Sequence, residues 1–87
     1  MYYVYILHLN NNTLYTGTTG DLKRRYSEHI LGKVDSTKHK RPLELILYEA
    51  YLRKTDSDRR EKFLKTTEGK RLLKQQIRDI LREKHVI

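Results

Sequence analysis

Eighty-seven residues, a formal charge of +8 from 19 Lys+Arg against 11 Asp+Glu, and no cysteine set narrow limits on this chain. The absence of cysteine excludes disulfides and zinc sites built on thiolates, and it fits a reducing compartment. No apolar run approaches the roughly 20 residues of a membrane-spanning helix, and the opening residues read as strand rather than signal peptide. A single cytoplasmic domain over residues 1–87, without a membrane partner, is therefore expected. So basic a balance on so small a surface points toward polyanions, chiefly DNA, with RNA left open.

In chain order, Tyr2-Tyr3-Val4-Tyr5-Ile6-Leu7 is rich in β-formers and reads as a strand. Asn10-Asn11-Asn12 is a turn, because Asn tolerates left-handed geometry. Thr13-Leu14-Tyr15-Thr16-Gly17 returns as a second strand, completing a hairpin. Thr18 and Asp21 have capping-box spacing ahead of a helix. Leu22, Tyr26, His29 and Ile30 share one face of that helix, and Gly32 ends it. Residues 33–41 form a polar, basic loop before Pro42. Residues 43–51 are the longest and most apolar strand, expected at the sheet centre or against the first strand. Thr55-Asp56-Ser57-Asp58 is a second capping box, opening the helix that carries Glu61. Thr66-Thr67-Glu68-Gly69 interrupts that helix or starts another. A stripe at 72, 73, 77, 80 and 81 predicts a last helix over about residues 69–84. The order is β-β-α-β-α-α, one α/β unit of α+β type.

Five constellations carry chemistry, each beside a plainer role. Tyr5 and Tyr15 can meet across the hairpin, as packed rings or as proton-bearing phenols. Lys23-Arg24-Arg25 lies on the first helix, with Arg25 close to its apolar face. There it either snorkels over the core or meets an anion. His29, one turn on, is a buried structural residue or a proton carrier. Glu61 is a solvated ion-pair partner or a hard oxygen ligand. Lys33, Lys38, Lys40 and Arg41 make a solvated loop or a grip on backbone phosphates. Walker, dinucleotide-binding, zincin and serine-hydrolase signatures are all missing. No small-molecule cofactor is expected.

Taken together and in this order, these residues resemble the GIY-YIG nuclease domain, in its small stand-alone bacterial form. Tyr3-Val4-Tyr5 corresponds to the first signature triplet and Tyr15-Thr16-Gly17 to the second. Arg25 matches the required arginine, His29 the histidine-or-tyrosine position one turn later, and Glu61 the metal-binding glutamate. The loop from Lys33 through Pro42 is also similar to that of the small members. The first triplet lacks its leading glycine, Thr16 replaces a common isoleucine or valine, and Thr55-Asp56-Ser57-Asp58 is unusually acidic.

The resemblance implies a three-stranded antiparallel sheet flanked by helices and a DNA endonuclease, structure-selective or weakly specific. It also implies one Mg²⁺ or Mn²⁺ held by Glu61 and a protein partner that supplies target choice. Tyr5 would be the general base, Arg25 would bind the phosphate, His29 would relay the proton and Tyr15 would orient water or phosphate. Gly17 would permit a close passage from hairpin to helix. Lys23, Arg24, Lys33, Lys38, Lys40 and Arg41 would contact the DNA backbone. The competing expectation is a non-catalytic nucleic-acid-binding module or an adaptor in a DNA repair complex. The nuclease expectation requires Tyr5, Tyr15, Arg25, His29 and Glu61 to converge on one exposed cleft.

Overall fold

The first strand lies at the centre of the sheet, with a neighbour on each side. In the computed structural model, which describes residues 1–86, β1 (Tyr2–His8) pairs antiparallel with β2 (Leu14–Thr19) and β3 (Glu44–Tyr51), in the order β2-β1-β3. Ile87, the last residue of the expected 1–87 unit, lies outside the described residues. Val4, Tyr5, Ile6 and Leu7 are all buried, which is why β1 reads as a nearly continuous apolar run. Period-two alternation sends Val4 and Ile6 to one face and Tyr5 and Leu7 to the other. β3 does pair with β1, but as an edge strand, and its residues are half-buried or exposed.

The hairpin turn behaves as its asparagines predict. Asn12 takes a left-handed φ of 62°, and the Asn11 carboxamide accepts from the Thr13 N–H and hydroxyl. Helix α1 (Leu22–Ile30) covers the Tyr5/Leu7 face through Leu22 and Tyr26. Its cap is Asp21, which accepts from the Arg24 N–H at 3.1 Å. Thr18, the expected cap, is still in β2 and pairs with Val4. Gly32, at φ 76°, closes the helix: its N–H donates to His29 O and the Lys33 N–H donates to Glu28 O.

Helix α2 (Lys54–Leu64) lies over the other face, with Leu64 packed against Val4 and Ile6. It begins one residue before the expected Thr55 cap, and Arg53 at the boundary makes no side-chain cap bond. Inside the helix, Ser57 donates to Lys54 O at 2.8 Å and Lys54 pairs with Asp58 at 2.7 Å. Thr66 caps α3 (Thr67–Gln76), accepting from the Gly69 N–H at 3.0 Å.

The last helix expected from the stripe is two: α3, and α4 (Arg78–Glu83). The break falls at Ile77 (φ −115°, ψ 30°), whose side chain packs onto the Val4/Ile6 cluster. Burial of that side chain accompanies the departure from helical geometry. The observed order is thus β-β-α-β-α-α-α, with a 3₁₀ turn at Lys38–Lys40 in the basic loop. The three-stranded antiparallel sheet flanked by helices is as expected.

Candidate functional site

Tyr5 projects from the central strand toward α1 and is 1% exposed. Its hydroxyl lies 2.9 Å from His29 Nε2, on the last turn of α1. The other ring nitrogen, Nδ1, lies 2.7 Å from Thr37 Oγ1 in the basic loop. His29 and Thr37 are fully buried. Tyr15, from β2, stacks its edge on this group, its centroid 5.2 Å from His29 and 6.3 Å from Tyr5. Gly17 pairs directly with Tyr5 across the strands, and a Cβ there would lie 2.5 Å from the Tyr5 hydroxyl oxygen. The need for glycine is therefore the seat of the phenol rather than the passage into the helix.

The chain Tyr5–His29–Thr37 can run in either direction. With Nδ1 protonated, the imidazole donates to Thr37 and accepts from Tyr5; with Nε2 protonated, both bonds reverse. Burial raises the Tyr5 phenol above its ordinary pKa of 10.0, and the Arg25 guanidinium beside it only partly opposes the rise. Tyr5 is therefore a neutral phenol, not a standing phenolate. Burial also lowers His29 below the usual 6.5, and Arg25 lowers it further, against the pull of Glu28. The imidazole is thus neutral near pH 7 and able to take a proton. Arg25 is held charged by the Tyr5 hydroxyl first and by Glu28 second. Glu28 steadies both arginines of the helix, accepting from Arg25 Nη1 at 3.1 Å and Arg24 Nη1 at 3.3 Å.

Tyr5, Tyr15, Arg25 and His29 therefore converge, with the half-buried Tyr15 and Arg25 as the members that solvent reaches. Glu61 shares no hydrogen bond or ion pair with them among the described residues. It stands on α2, the helix across the sheet from α1, and its carboxylate accepts from Lys65 Nζ at 3.0 Å. Beside the edge strand β2, a cleft of about 450 Å³ is lined by Tyr15 and by Lys65, the ion-pair partner of Glu61. Among the described residues no three His, Cys, Asp or Glu side chains form a metal cage. A single hard carboxylate, 23% exposed, still fits the habit of magnesium, which takes one or two carboxylates and fills its shell with water and phosphate oxygens.

The cations expected on nucleic acid divide. Lys23, Lys33 and Lys40 are exposed. Arg24 is exposed but shared between Asp21 and Glu28, and Lys38 pairs with Asp35 at 3.4 Å. Arg41 is committed to the fold: Nε donates to Lys38 O at 3.0 Å and Nη1 to Ile30 O at 3.2 Å, across the end of α1. Sequence reasoning missed Thr37, a hydroxyl in an aperiodic loop that nothing local marks as buried. It also passed over Glu28, whose spacing of three from Arg25 and four from Arg24 was a readable signal.

The family model of the GIY-YIG catalytic domain matches residues 1–76. A UPF0213 protein of Staphylococcus haemolyticus is 38% identical over 74 residues, covering 84% of this chain and 90% of that protein. One from Streptococcus agalactiae is 39% identical over 64 residues, covering 72% and 73% respectively. The solution NMR structure of a UPF0213 protein from Bacillus halodurans superimposes with a TM-score of 0.57 at 32% identity, over 88% of this chain and 86% of that one. With its signature tyrosines joined at one buried histidine, the chain belongs to the GIY-YIG family.

Proposed function

We propose that residues 1–87 act as one divalent-metal-dependent endonuclease domain that hydrolyses phosphodiester bonds in DNA. The observation that carries this is the 2.9 Å contact between the Tyr5 hydroxyl and a buried, neutral His29, with Arg25 alongside. A phenol of raised pKa cannot deprotonate water alone. Coupled to His29 it can: a water admitted between the half-buried Tyr15 and Arg25 passes its proton to the Tyr5 oxygen as the Tyr5 proton passes to Nε2. Nδ1 then keeps its proton toward Thr37. The resulting hydroxide attacks phosphorus, the bond to the leaving sugar oxygen breaks, that oxygen takes a proton from solvent, and His29 returns its extra proton to solvent through Tyr5. Arg25 opposes the charge that develops on the phosphate. Tyr15 orients the water or the phosphate beside His29. Glu61 would hold one Mg²⁺ or Mn²⁺, which polarises the phosphate and steadies the leaving oxygen when bound. Lys23, Arg24, Lys33, Lys38 and Lys40 supply sequence-independent grip, so cleavage is structure-selective or weakly specific. DNA repair in the cytoplasm, with a protein partner choosing the target, is the setting we propose.

A second reading, a non-catalytic DNA-binding module or repair adaptor, is favoured by one observation. The Glu61 carboxylate is engaged by Lys65, and α2, which carries both, packs on the face of the sheet opposite to α1. Nicking of supercoiled DNA by the wild type and Glu61→Ala, with Mg²⁺ and with Mn²⁺, separates the two. The nuclease reading expects metal-dependent nicking that Glu61→Ala abolishes. DNA binding without nicking supports the second reading, and undiminished nicking by the variant removes Glu61 from the metal site.

A further inference from the structure

A single exposed ring is ordinary on a protein surface, whereas adjoining exposed rings beside a cleft mark a candidate binding site. Tyr48 sits mid-way along the edge strand β3, opposite Tyr5, and is 55% exposed. Its ring meets that of Tyr3 edge-on, with centroids 6.1 Å apart and planes at 65°. Both line an open cleft of about 480 Å³, with Tyr26 and Leu45 beneath them and Lys23 at the rim. That volume falls in the range of small-ligand clefts, roughly 300–1,000 Å³. The base of the cleft is fixed, because the Tyr26 hydroxyl accepts from the Leu45 N–H at 3.2 Å. Asp21, the acid of the cleft, is already engaged by the Arg24 N–H and guanidinium. Lys23 has no carboxylate partner among the described residues and is the cleft's free charge.

We infer that Tyr3, Tyr48 and Lys23 form a stacking site for an unpaired nucleobase, on a single-stranded segment adjoining the bond to be cut. The inference rests on the nuclease reading and adds a substrate class to it. Exposed aromatic faces stack bases of any sequence, and a neighbouring cation meets the adjoining phosphate. A base inside a duplex has both faces covered by its stacked neighbours, so only an unpaired one can enter. The placement fits: Tyr3 shares the Tyr5 face of β1 two residues away, about 6.8 Å, or two stacked nucleotide steps. A substrate with a duplex-to-single-strand junction would set its unpaired strand on this cleft while the adjacent phosphate reaches Arg25.

The test is equilibrium binding of the full chain to labelled single-stranded and duplex oligonucleotides of equal length, in chelator so that cleavage does not intervene. Tyr48→Leu keeps apolar bulk without the π face, and Tyr48→Phe keeps the face; circular dichroism checks that both stay folded. The Leu variant is expected to bind single strands about 5- to 100-fold more weakly, as loss of one stacked base predicts, while Phe matches the wild type. Lys23→Ala should lower the salt slope on single strands by about 0.7. Leu matching Phe on single strands, or losing as much on duplex, overturns the stacking site, and an apolar protein contact then becomes the use of Tyr48. In that event the nuclease reading stands if the wild type still nicks DNA. A wild type that binds neither polymer overturns both.

Discussion

Tyr5 and His29 meet because two periodicities coincide. Alternation along β1 turns Tyr5 toward α1, and the helical repeat brings His29 to the same side as Leu22 and Tyr26. The plain and the chemical roles of these residues then cease to compete: both are packed, and their polar atoms satisfy each other. Thr37 completes the set, since without it a buried ring nitrogen would have no partner. Tyr5→Phe and Thr37→Val should each cost about 1–3 kcal/mol of stability, because each orphans a nitrogen of His29. Their turnover should differ. Tyr5→Phe removes the group that meets water, and nicking should fall about 10²- to 10⁴-fold. Thr37→Val leaves that group and removes only the Nδ1 partner of His29, so it should retain part of the rate. Denaturant titration alongside nicking rates checks both, and equal rates for the two variants would contradict the relay.

At the scale of elements, the strands and α1 were legible because short β-rich runs and a four-residue apolar repeat are local signals. The caps were less so. Thr18 and Thr55 have the right chemistry, but pairing with Val4 holds Thr18 in β2, while α2 starts ahead of Thr55. The break at Ile77 was hidden inside an unbroken stripe, since it follows from what Ile77 packs against. The basic loop was the least legible element. Its charges suggested a phosphate grip, yet Arg41 ties the end of α1 to the 3₁₀ turn, and the Asn10 N–H and carboxamide bind Lys40 O and Arg41 O. Lys40→Ala and Arg41→Ala should therefore diverge. The lysine variant should reduce the salt slope of duplex binding by about 0.9 with unchanged stability. The arginine variant should lose about 1 kcal/mol or more in denaturant titration, because two carbonyls lose a charged donor.

For the whole molecule, a net charge of +8 favours polyanions, and the buried histidine contributes to acid sensitivity. His29 is lowered below 6.5 in the folded state, chiefly by burial. Above that pH both states leave it neutral and it adds no slope. As pH falls through 6.5 the unfolded chain takes a proton that the folded chain refuses, so stability declines. Urea midpoints at about pH 7.5 and about pH 5.5 should show a larger acid loss for the wild type than for His29→Gln. The sheet order carries a further consequence. β1 is hydrogen-bonded on both sides and covered on both faces, so its amides belong with the last to exchange with solvent. Tyr5 is rooted there, whereas His29 and Thr37 stand at a helix end and in a loop, where local opening takes less free energy. The two ends of the proton path thus stand on elements with different expected opening free energies, and hydrogen exchange should find the amides of β1 protected longer than those around His29 and Thr37.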